Sequence, residues 1–133
     1  MIYLLDTNTC IFYLNNSNAN IVGQLEKLPT SRIRIPSIVA AELMYGAEKS
    51  GRREHNMKIF RSFLSIYDIT DFGGRAIDSY GEIRADLERR GQTIGGNDII
   101  IAATVLANDG ILITNNTDEF SRVKGLKTED WKI

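Results

Sequence analysis

The sequence predicts an α/β fold in which a parallel sheet is covered by helices on both faces. Two wholly apolar segments, 2–5 and 110–114, and an alternating one, 32–35, have the pattern of short strands, and helical patterns separate them. Apolar strands that alternate with helices are typical of parallel sheets, because each helix returns the chain across one face. We expect one domain over residues 1–133. In such sheets, ligands bind at the carboxyl ends of the strands.

The first half of the chain contains three predicted strands and four predicted helices. Apolar residues at helical spacing mark the segment that follows Asp6 and the segment 19–28, whereas "RIRI" alternates as a strand does. Pro36 and Ser37 then open a helix, since proline suits a helix start. In order, the predicted elements are a strand at 2–5, helices at 8–16 and 19–28, a strand at 32–35, helices at 37–50 and about 52–65, and a strand at 66–70.

The second half continues the alternation with two helices and two strands. The helix at 75–91 carries an apolar face and ends at Gly91, a residue that favours helix termini. The residues predicted on that face are Ile77, Tyr80, Ile83 and Leu87. A nearly uniform apolar helix follows at 97–109, then the strand at 110–114 and a last strand within 126–131.

Composition excludes several classes of protein and site. The chain is 43% hydrophobic and 25% charged, as globular proteins are, and no segment approaches the ~20 apolar residues of a membrane span. The N-terminal "MIYLLDTN" lacks a basic leader and predicts a strand rather than a signal peptide. The single cysteine, Cys10, permits no internal disulfide, so we expect a cytoplasmic protein. The single histidine, His55, excludes paired-histidine catalysis and is expected on the surface.

Three acidic residues occupy positions where apolar residues are expected. Asp6 ends the first strand, Asp98 opens the apolar helix at 97–109, and Glu42 lies within the apolar stripe of its helix. Each has a simpler interpretation, because Asp6 and Asp98 can cap helices and Glu42 can lie at the edge of the stripe. Clustered carboxylates in a low dielectric either take up protons or bind a cation. Oxygen ligands favour Mg²⁺ or Mn²⁺.

Four segments, in order along the chain, resemble the PIN-domain ribonucleases, specifically the VapC-type toxins of toxin–antitoxin pairs. The segments are "LLDTNTCIFYL", "SIVAAELMYGAEKS", "IGGNDIIIAA" and "LITNNTDEFSRVKGL". The resemblance implies a PIN-like (Rossmann-like) α/β/α sandwich whose acidic pocket holds one or two Mg²⁺ or Mn²⁺ ions and hydrolyses RNA phosphodiester bonds. By position, Asp6, Glu42 and Asp98 match the three principal acids of the family. Asp6 and Asp98 are then expected to be direct metal ligands, and Glu42 a ligand or a general base.

The chain departs from the family pattern after its fourth strand. The family often carries an acid two residues after a Thr or Ser at this point, where this chain has Asn116 after Thr114. Glu119 is expected to supply the charge instead, as a fourth catalytic residue. Thr114, Asn116 and Asn8 are candidate neighbours that orient the acids.

The resemblance also implies a substrate and partners. Relatives with "DTNTCIF" and "YGAEKS" cleave the anticodon stem-loop of initiator tRNA, so we expect a tRNA substrate, a VapB-type antitoxin and a homodimer. Because the net charge is −1, local cations must hold RNA, and Lys49, Arg84 and Arg89 are candidates, although Arg89 also suits the end of its helix. One alternative is an inactive PIN scaffold that binds RNA or a protein. A receiver-like signalling domain is disfavoured because "LITNN" offers no lysine.

Overall fold

The computed structural model describes residues 1–133 and contains one five-stranded sheet. Its strands are β1 (Tyr3–Leu5), β2 (Ile33–Pro36), β3 (Asp68–Thr70), β4 (Ile111–Ile113) and β5 (Lys127–Glu129). They lie in the order β3-β2-β1-β4-β5, and all four neighbouring pairs are parallel. The predicted α/β fold with a mainly parallel sheet is therefore confirmed.

Seven α-helices connect and cover these strands. They are α1 (Thr7–Leu14), α2 (Ala19–Lys27), α3 (Ser37–Lys49), α4 (Arg53–Leu64), α5 (Arg75–Arg89), α6 (Gly96–Ala107) and α7 (Thr117–Phe120). The first six match the predicted helices within a few residues. The sequence did not predict α7 or the 3₁₀ turn at Thr30–Arg32. None of the helices combines the length and apolar character that crossing a membrane requires.

The core lies between the central strands and the helices that pack on them. Strands β1 and β4 are fully buried at Leu4, Leu5, Leu112 and Ile113, and α6 is buried without a break from Ile101 to Val105. Helix α5 buries one face only, and here the prediction for Ile77 was wrong. Ile77 is 58% exposed, because the buried face of α5 runs through the residues Ala76, Tyr80, Ile83 and Leu87.

The strand order reverses between β1 and β4, which places the ends of these two strands side by side. The amide of Asp6 donates to the carbonyl of Ile113 at 3.1 Å, so the pairing continues past the end of β1. Gly110, just before β4, has no room for a Cβ atom because the side chain of Leu4 lies against it. In parallel α/β sheets the functional crevice forms where the strand order reverses. Asp6 and Thr114 leave the sheet at this point.

Candidate active site

A cavity of about 160 Å³ opens at the carboxyl edge of the sheet, between β1, α3, α6 and α7. Its lining consists of Asp6, Thr7, Asn8, Glu42, Asp98, Ile101, Asn116 and Phe120. The three acids singled out from the sequence thus face one cavity, although they come from three separate elements. No lysine, arginine or histidine lines it. The negative charge of the cavity therefore has no internal counter-ion.

Asp6 both lines the cavity and caps α1. Its Oδ1 accepts a hydrogen bond from the amide of Thr9 at 2.8 Å, so the capping interpretation is correct as geometry. The residue is only 6% exposed. Burial raises the pKa of the Asp6 carboxyl, the side chains of Thr114 and Thr9 partly offset this, and the charge of Asp130 adds to the rise. A carboxylate held rigidly and short of solvent is suited to receive a cation.

Glu42 lies at the edge of the apolar stripe of α3 and not within it, which corrects the prediction from its neighbours. The buried stripe consists of Val39, Leu43 and Ala47, whereas Tyr45 is 64% exposed. Glu42 is half-buried, and its Oε1 accepts a hydrogen bond from the hydroxyl of Thr7 at 3.2 Å. Thr7, which sequence reasoning did not single out, therefore orients Glu42 toward the cavity.

Asp98 lies in the first turn of α6 but does not cap it by a hydrogen bond. The residue before the helix is Gly95, and no side chain caps this end. Burial, a hydrogen bond with Glu119 and the charges of Glu119, Glu42 and Asp6 together raise the pKa of Asp98 to about 7. Below about pH 7 most Asp98 carboxyls are therefore protonated, and the hydrogen bond runs from the Asp98 O–H to the carboxylate of Glu119.

Glu119 supports Asp98 from outside the cavity, which it does not line. Its Oε1 accepts from the amide of Gly95 at 3.3 Å, and its Oε2 accepts from Nδ2 of Asn116. Burial would raise the pKa of Glu119, but the hydrogen bonds from Asn116, Asp98 and Gly95 and the charge of Arg122 lower it below its ordinary value. The side-chain amide of Asn116 thus donates to Glu119. The backbone N–H of Asn116 donates to Oγ1 of the buried Thr114 at 3.0 Å.

The donor set of the cavity fits a hard divalent cation, because it consists of carboxylate, hydroxyl and amide oxygens only. As the side chains stand, however, no three acidic, histidine or cysteine residues are gathered at the spacing of a metal site. Glu42 is engaged by Thr7, and Asp98 by Glu119. An ion would therefore compete with the Asp98 proton and with the Thr7 hydroxyl.

The candidate RNA-binding cations lie outside the cavity. Arg84 is paired with Glu88 at 3.4 Å and donates to the hydroxyl of Tyr80. Arg89 lines a separate groove beside acidic side chains of α5. Lys49 lies over the ring of Tyr45, at 4.7 Å from its centroid. His55, as expected, is exposed on α4.

Comparison with known proteins identifies the family to which the chain belongs. A family model described as PIN domain matches residues 3–126. The chain is 42% identical over 132 residues to Ribonuclease VapC2 of Rickettsia felis, with 98% of both chains covered. It is 41% identical over 129 residues to the tRNA(fMet)-specific endonuclease VapC of Shigella flexneri, with 97% of both covered. The chain belongs to the VapC ribonucleases of the PIN-domain family.

A solved structure of a VapC relative extends the match to three dimensions. The DNA-bound VapBC complex from Salmonella typhimurium contains a chain that superimposes with a TM-score of 0.93 at 40% identity, and 98% of each chain is covered. The recognition of a VapC-type PIN domain from the four sequence segments is thus confirmed. Whether Glu119 compensates for Asn116 at the cavity stays a prediction, which the hydrogen bond from Asn116 to Glu119 makes testable.

Glu119→Gln tests whether Glu119 serves the acidic cavity through Asp98. Loss of its charge removes an anionic partner from beside Asp98. Removing an outer partner of a metal ligand lowers metal affinity or activity by about 10–100-fold. We therefore expect a loss in this range, measured as Mn²⁺ affinity by calorimetry and as the rate of RNA cleavage.

Asp118→Asn provides the matched control for Glu119→Gln. Asp118 is exposed one residue earlier on α7 and contributes only its backbone carbonyl to a hydrogen bond. We expect this variant to keep the parental affinity and rate. Equally small effects of the two substitutions would show that Glu119 does not serve the cavity.

Proposed function

We propose that this VapC ribonuclease is a Mg²⁺- or Mn²⁺-dependent endoribonuclease toxin that cleaves tRNA. The observation that carries the proposal is the convergence of Asp6, Glu42 and Asp98 on one cavity with no cationic lining. Such a cavity is electrostatically incomplete, because neighbouring carboxylates repel one another in a low dielectric. A bound divalent cation would neutralise this repulsion. The alternative of an inactive scaffold does not explain why the three acids are placed together.

Asp6 and Asp98 would hold the ion, and Glu42 would either hold it or accept a proton. The chemistry that such an ion supplies is activation of a water nucleophile near neutral pH and neutralisation of charge on the phosphate. Asp6 is fixed for this task by its bond to the Thr9 amide. Glu42 is aligned by the hydroxyl of Thr7 and, unlike Asp6, accepts no hydrogen bond from a backbone amide. We therefore propose that Glu42 acts as the general base and accepts the proton of the attacking water.

The substrate and partners follow from the relatives. The Shigella flexneri relative is a tRNA(fMet)-specific endonuclease, which supports initiator tRNA as the substrate of this chain. From the resemblance of its sequence segments, we propose that the cut lies in the anticodon region. The Salmonella typhimurium structure is a VapBC complex, which supports a VapB-type antitoxin as the partner. We further propose that the toxin is a homodimer and acts in the cytoplasm, where tRNA is available.

Metal removal tests the proposed reaction. In EDTA, cleavage of purified tRNA should stop, and added Mg²⁺ or Mn²⁺ should restore it, because the chain offers no histidine at the site that could replace the ion. Sequencing the 5′ ends formed from initiator and elongator tRNA locates the cut. His55→Ala is the control, because His55 is exposed on α4, and it should keep the parental rate. Undiminished cleavage in EDTA would contradict metal dependence, and RNA binding without cleavage at any metal concentration would favour the inactive scaffold.

A further inference from the structure

Helix α3 carries an exposed aromatic side chain on the same face as Glu42. Tyr45 follows Glu42 by three residues and Lys49 follows it by seven, a spacing that aligns side chains along one stripe of a helix. At 1.5 Å per residue, Tyr45 lies ~4.5 Å and Lys49 ~10.5 Å from Glu42 along the helix axis. The stripe therefore leads from the rim of the acidic cavity onto the open surface of α3.

The stripe presents an unusual pair of groups to solvent. Tyr45 is 64% exposed and is the one aromatic residue among the exposed large apolar side chains. Lys49 lies over its ring, with Nζ 4.7 Å from the centroid, and takes part in none of the four ion pairs of the protein. In contrast, Arg53 at the start of α4 and Arg84 on α5 are each paired with a glutamate. Lys49 thus keeps its charge available for an anion.

We propose that Tyr45 and Lys49 form a nucleotide-binding subsite for the single-stranded RNA next to the bond that is cleaved in the acidic cavity. The Tyr45 ring stacks on a base, and the Lys49 ammonium binds a neighbouring phosphate. This inference rests on the proposed function, because it takes the cavity as the place of cleavage. Aromatic rings beside cations are the general means of binding single strands, since every base offers a π-face and every linkage a charge.

Charge favours RNA over a second copy of the chain as the occupant. The chain has a net charge of −1 and a cavity lined by three acids, so a polyanion must be held by cations placed locally. The ~10.5 Å between Glu42 and Lys49 spans about three nucleotide steps at the ~3.4 Å spacing of a stacked strand. An unpaired lysine on the contact face would gain nothing from burial against another copy. Stacking at Tyr45 is tolerant of base identity, so the subsite supplies affinity rather than sequence preference.

The test measures binding of a fluorescently labelled single-stranded RNA oligonucleotide in EDTA, which separates binding from cleavage. Tyr45→Leu, which keeps apolar bulk but removes the ring, is expected to weaken binding by about five-fold or more, whereas Tyr45→Phe keeps the parental affinity. Lys49→Gln is expected to weaken binding and to reduce the slope of log affinity against log salt by about 0.7. Lys58→Gln is the matched control, because Lys58 is exposed on α4, and it should bind as the parent does.

Two further measurements, 2-aminopurine fluorescence and sedimentation, distinguish base stacking on Tyr45 from a role of Tyr45 in an interface between copies. RNA that carries 2-aminopurine should lose further fluorescence on binding to the parent and to Tyr45→Phe, but not to Tyr45→Leu, because Tyr45→Leu removes the ring on which the base would stack. Parental binding by Tyr45→Leu overturns the proposal. A change in sedimentation caused by Tyr45→Leu, with quenching retained, also overturns it and makes this face an interface between copies. Cleavage by the parent in Mn²⁺ is measured separately, and its absence would refute the proposed function instead.

Discussion

Asp98→Asn is expected to lower RNA cleavage by at least ~100-fold, the upper end of what loss of an outer partner does to a metal site. The same substitution should leave the metal-free protein as stable as the parent or more stable. In the parent, protonated Asp98 donates to Glu119, and the amide of asparagine can donate to the same carboxylate. The substitution also removes one of the charges that repel one another around the cavity.

Thermal melts with and without Mn²⁺ separate this role from helix capping. A ligand at a hundredfold excess over its Kd stabilises the parent by ~2.7 kcal/mol, and it should stabilise Asp98→Asn much less. If Asp98 acted as a cap alone, Asp98→Ala would destabilise the protein by about 0.5–2 kcal/mol whether or not metal is added. An Asp98→Asn variant that is less stable in EDTA but keeps the full shift in Mn²⁺ would contradict the assignment of Asp98 as a ligand.

The sequence predicted the fold well because its signals are periodic and local. Apolar residues at 2–5 and 110–114 can be buried on both sides only in the centre of a sheet, and these segments became β1 and β4. Helix α7 was missed because its four residues are too few to show a period. Ile77 was placed on the wrong face because an error of one residue turns a helical position by about 100°. Such a shift exchanges an exposed residue for a buried one.

The candidate site was only partly predictable, because its members depend on side-chain direction. Asp6, Glu42 and Asp98 could be selected because a charge in an apolar setting is visible in the sequence. The relation of Glu119 to Asp98 was not visible, since it depends on a turn that brings the amide of Gly95 and Asn116 to the same carboxylate. Nor did the sequence show that Thr7 holds Glu42, although Thr7 directly follows Asp6. In contrast, the pairing of Arg84 with Glu88 follows the ordinary helical spacing of four residues.

The metal-free protein is expected to lose stability as the pH rises from about 4 to about 7, opposite to the usual behaviour of proteins with salt-bridged carboxylates. The folded-state pKa of Asp98 is about 7, against an ordinary value of 3.8, so the folded protein holds a proton that the unfolded chain releases. The stabilisation is fully present below the unfolded pKa and is lost as the pH passes through the folded one. Asp6, whose pKa is also raised, acts in the same direction, whereas the lowered pKa of Glu119 acts in the opposite one.

The full rise in the pKa of Asp98 would correspond to ~4 kcal/mol of unfolding free energy. Because solvent screens a half-buried carboxyl, we expect a loss of about half of this, on the order of 2 kcal/mol. Thermal melts in EDTA across this pH range measure it, and Asp98→Asn, which has no proton to release, should show a flatter dependence. In Mn²⁺ the trend should reverse. Metal ligands must be deprotonated, so the Mn²⁺-induced gain in stability grows as the pH passes about 7. Equal pH dependence of the parent and Asp98→Asn in EDTA would mean that Asp98 ionises at its ordinary pKa. Metal binding would then displace no proton from Asp98.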